Sequence, residues 1–176
     1  MAQIESALVI PVPQAEALVG PLRERFEPSA SLGAPAHITL LYPFIDPRQI
    51  DDRVLNILAA CFRTFTPIEF SLSAIRRFPT GTLYLALDPD EPFRALTRAI
   101  WKLFPDTPPY SGQWPDIVPH LSIGQFADEG EVERVADELG RACKDALPAS
   151  ARATDVALID NSTGRWTRRS TFRLGN

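Results

Sequence analysis

The 176-residue chain contains two histidines, and each opens the same kind of pattern. The first reads His37-Ile38-Thr39-Leu40 and the second His120-Leu121-Ser122-Ile123. Imidazole titrates near ~6.5, so a pair of histidines can supply a general base and a general acid around neutral pH. In extended chain, residues i and i+2 project to the same face. His37 therefore points with Thr39, and His120 with Ser122, while Ile38, Leu40, Leu121 and Ile123 face the interior. Two imidazoles and two hydroxyls across one cleft suit phosphate chemistry. The hydroxyls hold the non-bridging oxygens of a 2′,3′-cyclic phosphate, one histidine deprotonates water, and the other protonates the departing ribose oxygen. Run in reverse, the same groups join a hydroxyl to a cyclic phosphate. The scheme calls for no metal and no cofactor. One histidine on an apolar strand is more often a packing residue; the matched pair carries the catalytic reading.

The motifs need strands to hold them. Short apolar or alternating runs predict strands over 6–12, 36–44, 67–78, 82–88, 117–126, 151–160 and 165–174. The last two are joined at Asn161-Ser162-Thr163-Gly164. Helical spacing predicts a helix over 14–26, with Pro21 as a break or kink. A second begins at Asp46-Pro47 and carries Ile50, Val54, Ile57, Leu58, Cys61 and Phe65 on one face. A third is capped by Asp90 and lined by Phe93, Leu96, Ile100 and Phe104, and a fourth spans 129–146. The Pro-rich loop 105–116 is long enough to suggest a functional role.

The element order runs through β-α-β-α-β twice, with one further strand. The histidines are 83 residues apart and the cysteines, Cys61 and Cys143, 82 apart. These spacings suggest an internal duplication. The fold expected is a single α+β domain over 1–176. It has two pseudo-symmetric lobes, roughly 1–80 and 81–176, each a small mainly antiparallel sheet flanked by helices, with a central cleft between them.

On these motifs the chain resembles the two-histidine phosphoesterase superfamily, in particular its 2′-5′ RNA ligase-like branch. The resemblance covers essentially the whole chain. It implies His37, Thr39, His120 and Ser122 as catalytic residues. Serine in the second motif, where threonine is common, keeps the hydroxyl. The function implied is a metal-independent phosphodiesterase acting on a 2′,3′-cyclic phosphate or a 2′-5′-linked nucleotide or RNA end. Two alternatives use the same cleft: a non-catalytic nucleotide- or RNA-binding module, and a hydrolase of a small non-RNA cyclic phosphoester.

Candidate substrate contacts are Tyr42, Phe126 and Trp166 as platforms for a base, and Arg168 for a phosphate. Strand parity puts Phe126 on the face of His120 and Ser122, and Tyr42 opposite His37 unless Pro43 twists the strand end. It also puts Arg165, Arg169 and Arg173 on one face and Trp166 and Arg168 on the other. The partner expected is a nucleotide or RNA terminus, with no stable protein partner implied.

Composition narrows the classes. The 18 basic and 22 acidic residues give a net charge of −4, which excludes a broad nucleic-acid-binding surface. His37, Cys61, His120 and Cys143 show no close pairing of the kind structural zinc sites use. The start, MAQIESALVI, lacks a basic region, so a secretory signal is not expected. No run is long and apolar enough for a membrane span. Two free thiols on helix faces suit a reducing cytoplasm.

Overall fold

The computed structural model describes residues 4–175. Eight strands form one antiparallel sheet: β1 Ser6–Pro11, β2 His37–Leu41, β3 Ile68–Arg77, β4 Thr82–Asp88, β5 His120–Gln125, β6 Ala149–Ala153, β7 Asp155–Asp160 and β8 Thr167–Arg173. Their order is β6-β3-β4-β5-β2-β1-β7-β8. The fold is α+β with two lobes. The half-sheets β6-β3-β4-β5 and β2-β1-β7-β8 meet where β2 pairs with β5, with Ile38 opposite Leu121. Each half-sheet draws on both sides of residue 80: β3 joins β4 and β6, and β7 returns to β1. A cut near residue 80 therefore does not separate them.

The sheet must curl. Only Thr154 lies between β6 and β7, yet the two strands are six positions apart in the order. A flat sheet would set them roughly 29 Å apart at ~4.8 Å per strand. Two Cα steps reach at most ~7.6 Å. The edge of one half-sheet is thus brought back toward the other. The expected single strand over 151–160 is in fact these two, divided at Thr154.

One face of the sheet is covered by helices α1 Pro13–Phe26, α3 Asp52–Phe62, α4 Glu91–Leu103 and α5 Glu129–Ala142; α2 is the short turn Pro28–Ser31. Their buried residues, including Val19, Leu58, Phe62, Phe93, Leu96, Val135 and Leu139, join the inward strand residues in one core. Each large apolar side chain fully buried there contributes about 1.5–3 kcal/mol. The other face, the open face, lacks that helix layer and carries a smaller buried cluster of Ala7, Val9, Ala157 and Ile159.

Several local expectations shift. α1 runs through Pro21 to Phe26, held on both sides of the proline by the buried Val19 and Leu22. Asp46 caps only the 3-10 turn Pro47–Gln49; Asp51 caps α3 by accepting from the Val54 N–H. Asp90 does not cap α4 with its side chain, which instead accepts from Arg94 at 2.7 Å. α5 ends at Ala142 rather than 146, with Cys143 as its C-cap. Cys143 is buried, Cys61 is only half-buried, and both are free. No helix among the described residues is long and apolar enough to cross a membrane.

Candidate active site

The two motif strands share one burial pattern. In β2, His37 and Thr39 are half-buried and Ile38, Leu40 and Leu41 buried; in β5, His120 and Ser122 are half-buried and Leu121, Ile123 and Gly124 buried. Ile38 lies opposite Leu121. Carrying that register one residue each way sets His37 beside Ser122 and Thr39 beside His120. The four side chains therefore make a square on the open face. The histidines occupy one diagonal, about 7–8 Å apart at the backbone, and the hydroxyls the other.

Each ring is oriented by the same device. His37 Nδ1 lies 2.7 Å from the Pro35 carbonyl and His120 Nδ1 2.6 Å from the Val118 carbonyl, in both cases two residues back along the chain. A carbonyl only accepts, so Nδ1 carries the hydrogen and Nε2 is left with its lone pair. Burial pushes the His37 pKa down to about 4. The Pro35 carbonyl opposes that shift, the positive charges of Arg23 and His120 add to it, and Glu16 opposes it. His120 is also lowered by burial, with the Val118 carbonyl and Glu27 pulling the other way.

Beneath the square, Arg23 is almost fully buried on α1. Its Nη1 donates to the Ser122 carbonyl at 2.5 Å and its Nη2 to the Pro35 carbonyl at 3.1 Å. One guanidinium thus ties the carbonyl that orients His37 to the backbone of the second motif. Glu16, about two turns earlier on the same helix, accepts the Ala36 N–H at 2.5 Å. α1 therefore sets the approach of the chain into β2. Its far end needs Gly124 in β5, because a Cβ there would lie 2.6 Å from Phe26 Cβ.

A model of the 2'-5' RNA ligase superfamily matches residues 11–165. The chain belongs to this superfamily. No curated protein sequence matches it. Among solved structures, Escherichia coli LigT complexed with 3'-AMP is 14% identical, with 99% of this chain and 100% of LigT covered and a TM-score of 0.61. TT0787 of Thermus thermophilus is also 14% identical, covers 98% and 99% of the two chains, and gives a TM-score of 0.64. LigT is also known in complex with ATP, at 14% identity, 99% and 100% coverage and a TM-score of 0.58. At such identity the likeness establishes the fold. Family and fold together support a two-histidine phosphoesterase or 2'-5' RNA ligase-like activity.

The sequence-predicted substrate contacts of this superfamily member divide. Both motif strands carry a bulge just past the hydroxyl residue. Val9 opposes Thr39 but Leu8 opposes Leu41; Tyr84 opposes Ser122 but Leu83 opposes Gly124. One extra residue in each strand reverses side-chain parity beyond it. Tyr42 is therefore turned onto the open face, where it packs with Trp166 against Val9 and Ala157, ring centroids 6.3 Å apart. Phe126 is turned off that face: it is buried in the main core against Phe26 at 5.2 Å, so it does not share a face with His120. A third bulge, at Arg169 in β8, separates the arginines differently from simple alternation. Arg168 opposes Ile159 and Arg173 opposes Asp155, both on the open face. Arg169 turns to the other side and donates to the Pro47 and Ile50 carbonyls.

Four residues near the square escaped the sequence reading. Arg23 had a signal, since it falls beside Leu22 on the apolar stripe of α1. Phe78 and Tyr84 stack at 4.3 Å and both meet the His120 ring edge-on, at 4.9 and 5.2 Å. Their role depends on register, which no local pattern reveals. Tyr110 comes from the Pro-rich loop and donates its N–H to the Tyr42 carbonyl at 2.6 Å. Its backbone and that of Ser111 lie in the left-handed region, at φ 51° and 54°. Burial pushes the Tyr110 phenol up to about 12, while its hydrogen bond with Thr39 opposes that shift.

Proposed function

We propose that the protein is a metal-independent cyclic phosphodiesterase acting on a 2′,3′-cyclic phosphate or a 2′-5′-linked nucleotide or RNA end, in a reducing compartment where Cys61 and Cys143 stay thiols. The observation that carries this reading is the square of His37, Ser122, Thr39 and His120, with each imidazole held by Nδ1 so that Nε2 is free.

The two histidines divide the work. His37 Nε2 takes a proton from water as the oxygen attacks phosphorus. The bond from phosphorus to one ribose oxygen breaks, and His120 delivers a proton to that oxygen from Nε2. Two observations support this direction. Burial, with the positive charges of Arg23 and His120 adding to it, keeps His37 unprotonated, as a base requires; burial lowers His120 too, but there the Val118 carbonyl and Glu27 pull back toward the protonated form. General acid and base steps of this kind each contribute about 10²–10⁴ in rate. Thr39 and Ser122 donate to the non-bridging oxygens, where charge builds in the transition state. With a ribose hydroxyl in place of water as the nucleophile, the same step forms a new phosphodiester as one ring P–O bond breaks, which is ligation.

The test is turnover of 2′,3′-cyclic nucleotides, 2′-5′ dinucleotides and cyclic-phosphate-ended RNA, with chelator present and the His37→Ala variant as blank. Chelator-insensitive cleavage lost in the variant supports the reading. Nucleotide binding with no turnover of any substrate, or full activity in both His37→Ala and His120→Ala, overturns it.

A further inference from the structure

The open face does not end at the catalytic square. Pro11 is the cross-strand partner of His37, and beyond it lies a groove of about 250 Å³. The groove exists because the sheet curls: β6 and β7 meet at Thr154, so side chains from opposite edges of the strand order come to line one cavity. Arg152 of β6 stands on one wall and Arg168 of β8 on the other, with Gln14 and Thr171 adding polar groups.

The charges are arranged for an anion. Arg168 has no ion pair or hydrogen bond among the described residues and is exposed. Among the described residues Arg152 makes one ion pair, with Glu69 at 3.1 Å, and both side chains of that pair are mostly exposed. Water screens such a pair, so Arg152 can turn toward a stronger ligand at little cost. The one carboxylate on the rim, Asp155, is engaged by the Thr154 hydroxyl at 2.6 Å and faces Arg173 across the strand pair. Ala157, which also lines the groove, lies two strands from β2, roughly 10 Å along the sheet. That is within reach of the neighbouring phosphates of a nucleotide chain whose end sits in the square.

We infer that this groove binds a second phosphate of the substrate, so that the site is built for an oligonucleotide end rather than for a lone mononucleotide. The inference rests on the function proposed above, and names the substrate class for the same site.

The experiment measures equilibrium binding, which does not require turnover. RNA fragments of one, two and three nucleotides, each ending in a 3′-phosphate, are titrated against the whole chain and against Arg168→Gln, Arg152→Gln and Arg141→Gln, the last a surface charge control on α5. The inference predicts that affinity steps up about tenfold between the one- and three-nucleotide members. The salt dependence should steepen by about 0.7 in log–log slope for the added phosphate. Both the step and the extra slope should collapse in Arg168→Gln and Arg152→Gln and persist in Arg141→Gln. Affinity independent of length, no measurable binding of any member, or a step that survives in both groove variants overturns it. A length step in a protein that cleaves nothing would leave the groove standing and sink the catalytic reading instead.

Discussion

His37 and His120 sit in equivalent frames and different surroundings. Each starts a strand, bonds the carbonyl two residues back and is followed by a hydroxyl and a bulge. Yet His37 is backed by the buried Arg23 cation and opposed by Pro11 of β1, with the apolar shelf of Val9, Ala157, Tyr42 and Trp166 on the same flank beyond Thr39. His120 is walled by Phe78 and Tyr84 and feels Glu27 instead. The backbone supplies two copies of one orienting device. Burial lowers both pKa values, and the neighbours then act in opposite senses: Arg23 disfavours a proton on His37 and Glu27 favours one on His120. Under the proposed function, that contrast would let a near-symmetric site serve a reaction with unlike ends, one oxygen losing a proton and another gaining one.

The comparison can be broken outright at the rings. Alanine at either His37 or His120 is expected to lower kcat by about 10²–10⁴, and the double variant to lose no more than the worse single one, because acid and base act as a unit. Steady-state kinetics on a cyclic nucleotide checks both points; losses that multiply would separate the two histidines into independent roles.

Arg23→Met removes the link between the lobes. It removes the guanidinium donor from the Ser122 carbonyl and leaves His37 Nδ1 on the Pro35 carbonyl, and urea unfolding should show a loss of about 3 kcal/mol. Without that positive charge the His37 pKa should rise, which NMR titration reads directly, while His120 moves less. An equal shift at both rings would mean that Arg23 does not distinguish them.

The walls sharpen the comparison further. Tyr84→Leu removes one ring contact from His120, of the order of 0.5–1.5 kcal/mol, so kcat should fall up to about tenfold. Trp166→Leu, on the His37 side, should act on KM. The reverse pattern would exchange the roles given to the two walls.

The last effect concerns the pH dependence of stability. His37 is held neutral in the folded protein, with its pKa below the ordinary value, so the unfolded chain binds the proton better. Stability is then full above pH 6.5 and falls as pH drops through 6.5 toward about 4. Thermal melts of His37→Gln should lose part of that acid sensitivity. An unchanged slope would show that His37 does not hold the depressed pKa.

Much of this was legible in the chain because it rests on short-range rules. Alternation over four residues placed the four square-forming side chains on one side of their strands, and apolar spacing found the helices. Phe126, Tyr42 and Arg169 were misread for a single reason: a bulge is one residue inserted opposite a partner strand, and the partner is not written in the local sequence. The same holds for Phe78 and Tyr84, which reach His120 only through the β3-β4-β5 register. The groove behind Pro11 depends on the curl of the whole sheet. Arg23 is a different case, since a charge on an apolar stripe beside Leu22 was open to notice. Pro21 shows packing prevailing over a local breaker.

The central claim is that His37 and His120 work as an unlike pair, base and acid, on one phosphate. It is tested most directly by the pH dependence of kcat/KM on a 2′,3′-cyclic nucleotide, in chelator, for the wild type and each alanine variant. Activity should rise as His37 loses its proton near pH 4 and fall as His120 loses its own, at a pKa below the ordinary ~6.5. The wild-type profile should therefore be a bell with its maximum on the acid side of neutrality. His37→Ala should abolish the acidic limb and His120→Ala the alkaline limb of what activity remains. A flat profile, or identical residual profiles in the two variants, would contradict the account.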